Sequence, residues 1–313
     1  MDPIVVVVFA VVYFGMILGR IPPLALDRTG VALLGAIVLV ATRKVAPDQA
    51  ARSIDVPTMA LLFGLMVISA QLRLGGFYTQ VTRRIAAARW SPAALLAVLM
   101  AVEAILSAVL ANDIVCLAVA PVIVEACARK RLNPVPHLIG LACASNIGSA
   151  ATLIGNPQNM LVGQVLRLGF GSYLVDAGVP SVVGVVLAWA IIAWQYRGDW
   201  QGELVIPELD APTFNPWQSG KGLLVATLLV AAFLFAPWPR EVVALTCAGV
   251  LLMSRRMATR KMLGQVDWQL LVLFAGLFVV NHALQATGAL EGSVHALADR
   301  GIDVRRPGWL FVA

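Results

Sequence analysis

Two short polar interruptions break an otherwise apolar chain: Asn112-Asp113 within the run 93–128, and Ser145-Asn-Ile-Gly-Ser-Ala-Ala-Thr-Leu-Ile-Gly-Asn-Pro-Gln-Asn159 in the next. Amides, a carboxylate and a helix-breaking proline are costly at bilayer depth unless buried in protein or facing a cavity, so they mark binding of an ion or polar solute. The run 93–128 is too long for one crossing and barely long enough for two, each of which needs about 20 residues. A re-entrant hairpin or broken helix turning at Asn112-Asp113 meets that arithmetic. A helix restarting at Ile114 would then aim free N–H groups at an anion.

The second interruption works differently. Ala142, Ala144, Ser145, Gly148, Ser149, Ala150 and Ala151 permit close helix approach, and Gly155 and Pro157 are expected to stop the helix. Pro157 lacks an N–H and drives Asn156 out of helical geometry. Carbonyls left free at residues 154–156, with the amide oxygens of Asn146, Asn156 and Asn159, form a cage suited to a hard cation such as Na+. N–H groups of a helix starting near Gln158 suit an anion, so one broken helix can serve both charges.

The elements that must position these residues are membrane helices. Hydrophobic residues are 60% of the 313 and charged ones 13%, against roughly 45–50% and 25% in an ordinary soluble domain. Apolar runs begin near Ile4, Gly30, Met59, Ala93, Leu138, Gly178, Leu223, Val242 and Leu270, and predict nine to ten helical spans or half-spans. The run 4–18 follows Asp2 with no Lys or Arg ahead and no small-residue cleavage site after it, so it is expected to stay as a helix rather than a signal peptide. The net charge of +6 lies in short clusters beside helix ends, Arg43-Lys44, Arg83-Arg84, Arg129-Lys130-Arg131, Arg255-Arg256 and Arg260-Lys261, which is a topology signal and no sign of nucleic acid. Cys116, Cys127, Cys143 and Cys247 sit in or beside apolar runs without CxxC spacing, and read as packing residues.

The chain also repeats. A shift of 212 positions aligns 28–76 with 240–288 without a gap, matching Arg43, Asp55, Gly64 and Gly76 to Arg255, Asp267, Gly276 and Gly288. The expected organisation is one transmembrane domain: a first repeat over 21–196, a polar linker over 197–221, and an incomplete second repeat over 222–313. The counterpart of Asn112 would fall beyond Ala313, and the last residues, 309–313, lie inside an apolar run, so the chain reads as lacking half of a two-part site. Inverted halves should place Arg43-Lys44 and Arg255-Arg256 on opposite faces, whereas the charge rule places both on one; the sequence leaves this open.

Asn112-Asp-Ile-Val-Cys-Leu-Ala-Val-Ala-Pro121 followed by the 144–159 motif resembles the citrate-transporter-like permeases of the ion transporter superfamily. Arsenite exporters, related sodium/proton antiporters and divalent-anion/sodium symporters belong to it. The resemblance implies an all-α polytopic membrane protein: a carrier of two inverted repeats, each with a re-entrant hairpin and a broken helix, moving substrate by an elevator-like motion, here with a truncated second repeat. In the symporters a Ser-Asn-Thr at the first hairpin and a Gly-Ser-Pro at the break bind sodium and substrate carboxylate. Asn112 and Gly155-Asn156-Pro157 stand at those places, with Ala111 and Asp113 in place of Ser and Thr. The added carboxylate suits cation or proton coupling better than dicarboxylate symport.

The expected site comprises Asn112, Asp113, Asn146, Ser149, Thr152, Gly155, Asn156, Pro157 and Asn159, with Na+ at Asn112, Gly155 and Asn156. Plainer readings stand beside these: Asp113 as a helix cap, Asn112, Asn156 and Asn159 as hydrogen-bond links between helices, with Gly155 and Pro157 structural in either case. Glu103, inside an apolar run, is either a proton relay or faces interfacial water. His282 reads as a packing residue, and His137 and His295 lie near helix ends. No HExxH, GxSxG or GxxxxGK[ST] occurs, which excludes the commonest enzyme and ATP-driven constellations, and a simple channel is the residual option. The expectation is a non-enzymatic, ion-coupled secondary transporter of a small inorganic or carboxylate anion by alternating access, multi-pass in the cytoplasmic (inner) membrane. A sodium/proton antiporter or arsenite exporter is the alternative. It would use no cofactor, Na+ or H+ as coupling ion, and as partners the lipid bilayer, a small anionic substrate and a second copy in a homodimer.

Overall fold

The computed structural model describes residues 2–21, 26–202, 212–254, 256–289 and 292. Helix α1 (Pro3–Leu18) leads through strands β1 (Arg20–Ile21) and β2 (Leu26–Asp27) into α2 (Arg28–Ala41), α3 (Pro47–Ser53), α4 (Val56–Leu74) and α5 (Phe77–Ala87). There follow α6 (Pro92–Val109), α7 (Asn112–Lys130), α8 (Pro134–Ser149), α9 (Pro157–Val165) and α10 (Phe170–Gln195). The last four are α11 (Pro216–Phe235), α12 (Arg240–Leu252), α13 (Thr259–Leu263) and α14 (Trp268–Ala286). This is an all-α polytopic membrane protein: α4, α6, α10, α11 and α14 are each long and apolar enough to cross a bilayer. All nine apolar runs of the sequence are helical, and the run 93–128 divides into α6 and α7.

One local device starts many of these helices. A polar residue accepts a hydrogen bond from the first turn, and proline takes the first helical position, where its missing N–H costs nothing. Asp2-Pro3, Ser91-Pro92, Asn133-Pro134, Asn156-Pro157 and Asn215-Pro216 begin α1, α6, α8, α9 and α11 in this way. The sequence reads 197–221 as a linker, yet α11 already takes in Pro216 to Lys221. There Gln71 of α4 donates to the Gln218 carbonyl at 3.0 Å, and Ser219 donates to Gly75 O at 2.9 Å. Residues 203–211, Arg255, His295 and the apolar end 309–313 lie outside the described residues.

The chain divides into two compact units, Met1–Val56 with Asp267–Ala313, and Pro57–Val266. In the first, α1, α2 and α14 pack around Val5, Val12, Val31, Ala32, Leu39, Val280 and Ala283. Tyr13 donates to Asn281 Oδ1 at 2.9 Å. In the second, α8 lies against α6, α7 and α10, and α5 against α7, over a core of Leu96, Met100, Ala144 and Ile192. All four cysteines are free thiols.

Helices related by the internal alignment start 212 residues apart: Arg28 and Arg240, Pro47 and Thr259, Val56 and Trp268. Their contacts are exchanged. In one unit Gly276 of α14 meets the backbone of Ala32 in α2, where an added Cβ would come to 2.8 Å; in the other Gly64 of α4 meets Ala244 of α12 at 2.7 Å. Gly64 aligns with Gly276 and Ala32 with Ala244, so the same two positions touch in both units. Gly64→Ala and Gly276→Ala should each destabilise the protein by about 1–3 kcal/mol through overpacking. Gly249→Ala, with no atom within 4 Å, should be neutral or gain about 0.4–1 kcal/mol. Thermal unfolding in detergent tests this, and an equal loss in all three would refute the contact as the cause.

Candidate functional site

The first interruption is a true break. Helix α6 ends at Val109, Leu110 and Ala111 are extended (ψ 163° and 110°), and α7 begins at Asn112. The restart is two residues earlier than the expected Ile114, because the two extended residues precede the Asn-Asp pair rather than include it. Ala111 occupies the cap position and makes no side-chain cap; its N–H is instead held by Ser69 Oγ of α4 at 3.2 Å. Asp113 is therefore not the cap. It stands exposed in the first turn of α7, where the helix dipole favours a carboxylate. Asn112 is buried, at 9% exposure.

The second interruption begins earlier than Gly155 and Pro157. Helix α8 ends at Ser149, residues 150–156 are irregular, and α9 begins at Pro157 rather than near Gln158. Gly155 serves another purpose than stopping α8: the loop folds back so tightly that a Cβ there would lie 2.1 Å from Ser149 O. The amides are engaged in this loop. Asn156 Oδ1 accepts from the Asn159 N–H at 2.8 Å, and Asn156 Nδ2 donates to Ser149 Oγ at 3.3 Å. Asn159 Nδ2 donates to Thr152 O at 2.9 Å. Ser149 Oγ donates in turn to Asn146 O at 2.9 Å. Asn146 itself is exposed, with its Nδ2 on Ala142 O of its own helix at 3.0 Å, so it stands apart from the expected cage.

The fold brings the two breaks together. Gly148 of α8 sits on Ala104 of α6 so closely that a Cβ would be 2.4 Å from Ala104 Cα. The Thr152 hydroxyl then donates to Ala108 O, a carbonyl of the last turn of α6 that lacks a helical partner. Behind these ties runs a buried polar line. Ser145 Oγ donates to Asn112 O at 3.4 Å, Ser107 Oγ lies 3.3 Å from Ser145 Oγ, and Ser107 Oγ lies 3.4 Å from Glu103 Oε1. Glu103 is 2% exposed, so of its two expected surroundings the interfacial water is the one the structure excludes; no Lys, Arg or His among the described residues pairs with it. Ser69, Ser107 and Ser145 were not among the expected site residues. Ser107, one turn from Glu103 in an apolar helix, was the signal available.

A citrate transporter family matches residues 4–313 of this chain. A silicon efflux transporter of rice (Oryza sativa subsp. japonica) is 30% identical over 202 residues, 64% of this chain and 42% of that protein. An uncharacterized transporter of Mycobacterium tuberculosis is 30% identical over 310 residues, 95% of this chain and 71% of its own length. A putative transporter arsB of Dictyostelium discoideum is 27% identical over 176 residues, 56% of this chain and 31% of that protein. The chain thus spans less than half of the rice transporter's length and about 70% of the mycobacterial one.

Thr152→Val removes the tie between the breaks and leaves the Ala108 carbonyl unpartnered, at an expected cost of about 1–3 kcal/mol. Thr152→Ser should keep most of the stability. Equal melting temperatures for the Val variant and the wild type would show that the hydroxyl does not hold the two breaks together.

Proposed function

Since the chain belongs to the citrate transporter family, we propose that it is an ion-coupled secondary active transporter of a small inorganic or carboxylate anion, working by alternating access in the cytoplasmic membrane. The observation that carries this reading is the convergence of two broken helices in one buried polar cluster, Asn112 on one side and Thr152, Gly155, Asn156, Pro157 and Asn159 on the other. Irregular backbone at membrane depth is tolerated where it is buried in protein or lines a cavity, and discontinuous helices place substrate and coupling-ion sites in secondary carriers. The exposed Asp113 carboxylate stands in the first turn of α7, next to the buried Asn112. Asn112, Ser149 and the 154–156 carbonyls supply oxygens for Na+. Glu103, with Ser107 and Ser145 leading to the Asn112 carbonyl, supplies a route for H+. The partners in this reading are the bilayer, the substrate and a second copy of the chain.

A second reading is favoured by one specific feature. The side chains bonded across the two breaks are amides and hydroxyls, and among the described residues none is Lys, Arg or His. Such a lining suits a neutral oxyacid as well as an anion, in keeping with the similarity to a silicon efflux transporter of rice. Export of arsenite, or sodium/proton exchange, is then the alternative.

Reconstitution of the full-length protein in liposomes separates these. Uptake of citrate, succinate or sulfate driven by an imposed Na+ or pH gradient supports the anion carrier, while gradient-driven movement of arsenite or silicic acid alone supports the second reading. Gradient-driven flux of none of them, with correctly inserted protein, defeats anion carriage and arsenite export and leaves sodium/proton exchange, which a change of lumenal pH under an imposed Na+ gradient reads directly. Asp113→Asn should abolish coupled transport while sparing insertion. Glu103→Gln should lose pH-driven accumulation and keep substrate exchange across the membrane; unchanged accumulation in that variant removes Glu103 from the proton route.

A further inference from the structure

A second polar assembly stands at the far end of α7 from the break. The Glu125 carboxylate is nearly buried, with 8% of its side chain exposed, and both of its oxygens are used: Oε2 accepts from Arg83 of α5 at 2.9 Å and Oε1 from Arg129 at 3.0 Å. One buried carboxylate thus fixes two guanidinium groups in place, while the arginine side chains remain 49% and 63% exposed. Lys130 is held beside them by donation to Ala88 O at 2.8 Å. These groups rim a pocket of about 450 Å³ whose remaining lining is apolar: Ala86, Ala87, Val122 and Ala126. Three cations against one carboxylate leave a charge of 3 − 1 = +2 in the rim.

An exposed ion pair by itself contributes little. What distinguishes this one is the division of labour: Glu125 accepts from one Nη of Arg83 and from Nε and Nη of Arg129, and both guanidinium groups line a pocket whose other walls are apolar. A free inorganic anion would use the rim and gain nothing from the apolar walls. A phospholipid uses both, and guanidinium groups suit phosphate oxygens geometrically. The surroundings agree with a membrane interface. Trp90, two residues beyond Ala88, is 46% exposed, and tryptophans concentrate at headgroup level, as do Lys and Arg at cytoplasmic helix ends. Basic pockets between membrane helices bind anionic headgroups.

We propose that the Arg83–Glu125–Arg129–Lys130 pocket holds the phosphate of an anionic phospholipid, with an acyl chain leaving across Ala86, Ala87, Val122 and Ala126. The bound lipid joins α5 to α7 at the end remote from the break. This site requires only that the chain is in a membrane, and stands whether or not the breaks carry an anion.

The test is native mass spectrometry of the detergent-purified full-length protein with added phosphatidylglycerol, cardiolipin or phosphatidylcholine, with inorganic phosphate as competitor. The two anionic lipids should remain bound where phosphatidylcholine is lost. The Arg83→Gln/Lys130→Gln variant, which leaves Glu125 paired with Arg129, should retain at least about tenfold less anionic lipid. Arg84→Gln, a cation next to the pocket but not in its lining, should retain wild-type levels. Should the double variant fail to fold, Lys130→Gln alone, which leaves both Glu125 ion pairs intact, gives the same comparison. Equal retention of phosphatidylcholine, equal loss in Arg84→Gln, or full displacement by inorganic phosphate would each overturn the proposal.

Discussion

The approach of α8 to α6 at Gly148 and Ala104 is the contact on which the candidate site depends. No side chain larger than hydrogen fits at position 148, since the nearest Ala104 atoms would lie 2.4 Å from its Cβ. Such close backbone contact is how helices associate where lipid removes the hydrophobic drive between them. Once α8 lies this close, Ser145 falls beside the start of α7, and Thr152 falls under the last turn of α6. The second break and the end of α8 then supply hydrogen bonds to carbonyls at the first break, Thr152 to Ala108 O and Ser145 to Asn112 O.

That completion matters because a broken helix at membrane depth leaves N–H and C=O groups that water cannot reach. The protein satisfies them by short reciprocal bonds. Ser69 takes the Ala111 N–H, Thr152 donates to Ala108 O, and Asn156 and Asn159 close the 150–156 loop on itself. Ser149, Thr152, Asn156 and Asn159 are thus hydrogen-bond partners at the breaks. The groups that make the site chemically distinctive lie behind them, in the line from Glu103 through Ser107 and Ser145 to Asn112.

The two compact units are built from the same pair of helical positions with the halves exchanged. The first helix of one aligned segment packs on the last helix of the other, through Ala32 with Gly276 and Ala244 with Gly64. A glycine against an alanine backbone recurs because both pairs must come within the same distance. Neither glycine–alanine contact forms within a single aligned segment.

The class of the protein, its nine apolar runs and the positions of both breaks were legible in the sequence, because apolar length, proline and paired polar residues act locally and leave a local mark. Arg, Asp and Gly positions in register at a shift of 212 were legible there too, and the aligned helices start at that spacing. Other parts were misread by a few residues. The end of α8, the start of α7 and the start of α11 depend on which extended residues the neighbouring helices hold, as with Ser69 on Ala111 and Gln71 on Gln218. Asn156-Pro157 carried less information than its setting, since Asn133-Pro134 and Asn215-Pro216 start helices in the same way. Composition and local pattern alone therefore determined a polytopic helical protein with two polar interruptions in adjacent runs. Only the tertiary structure decided that Asn112 is buried while Asp113 and Asn146 are exposed, that the two breaks meet, and that Glu103 and Glu125 are both buried yet sit in opposite electrostatic surroundings. Those outcomes turn on which helix approaches which and how closely, and that is set by contacts between residues far apart in the chain.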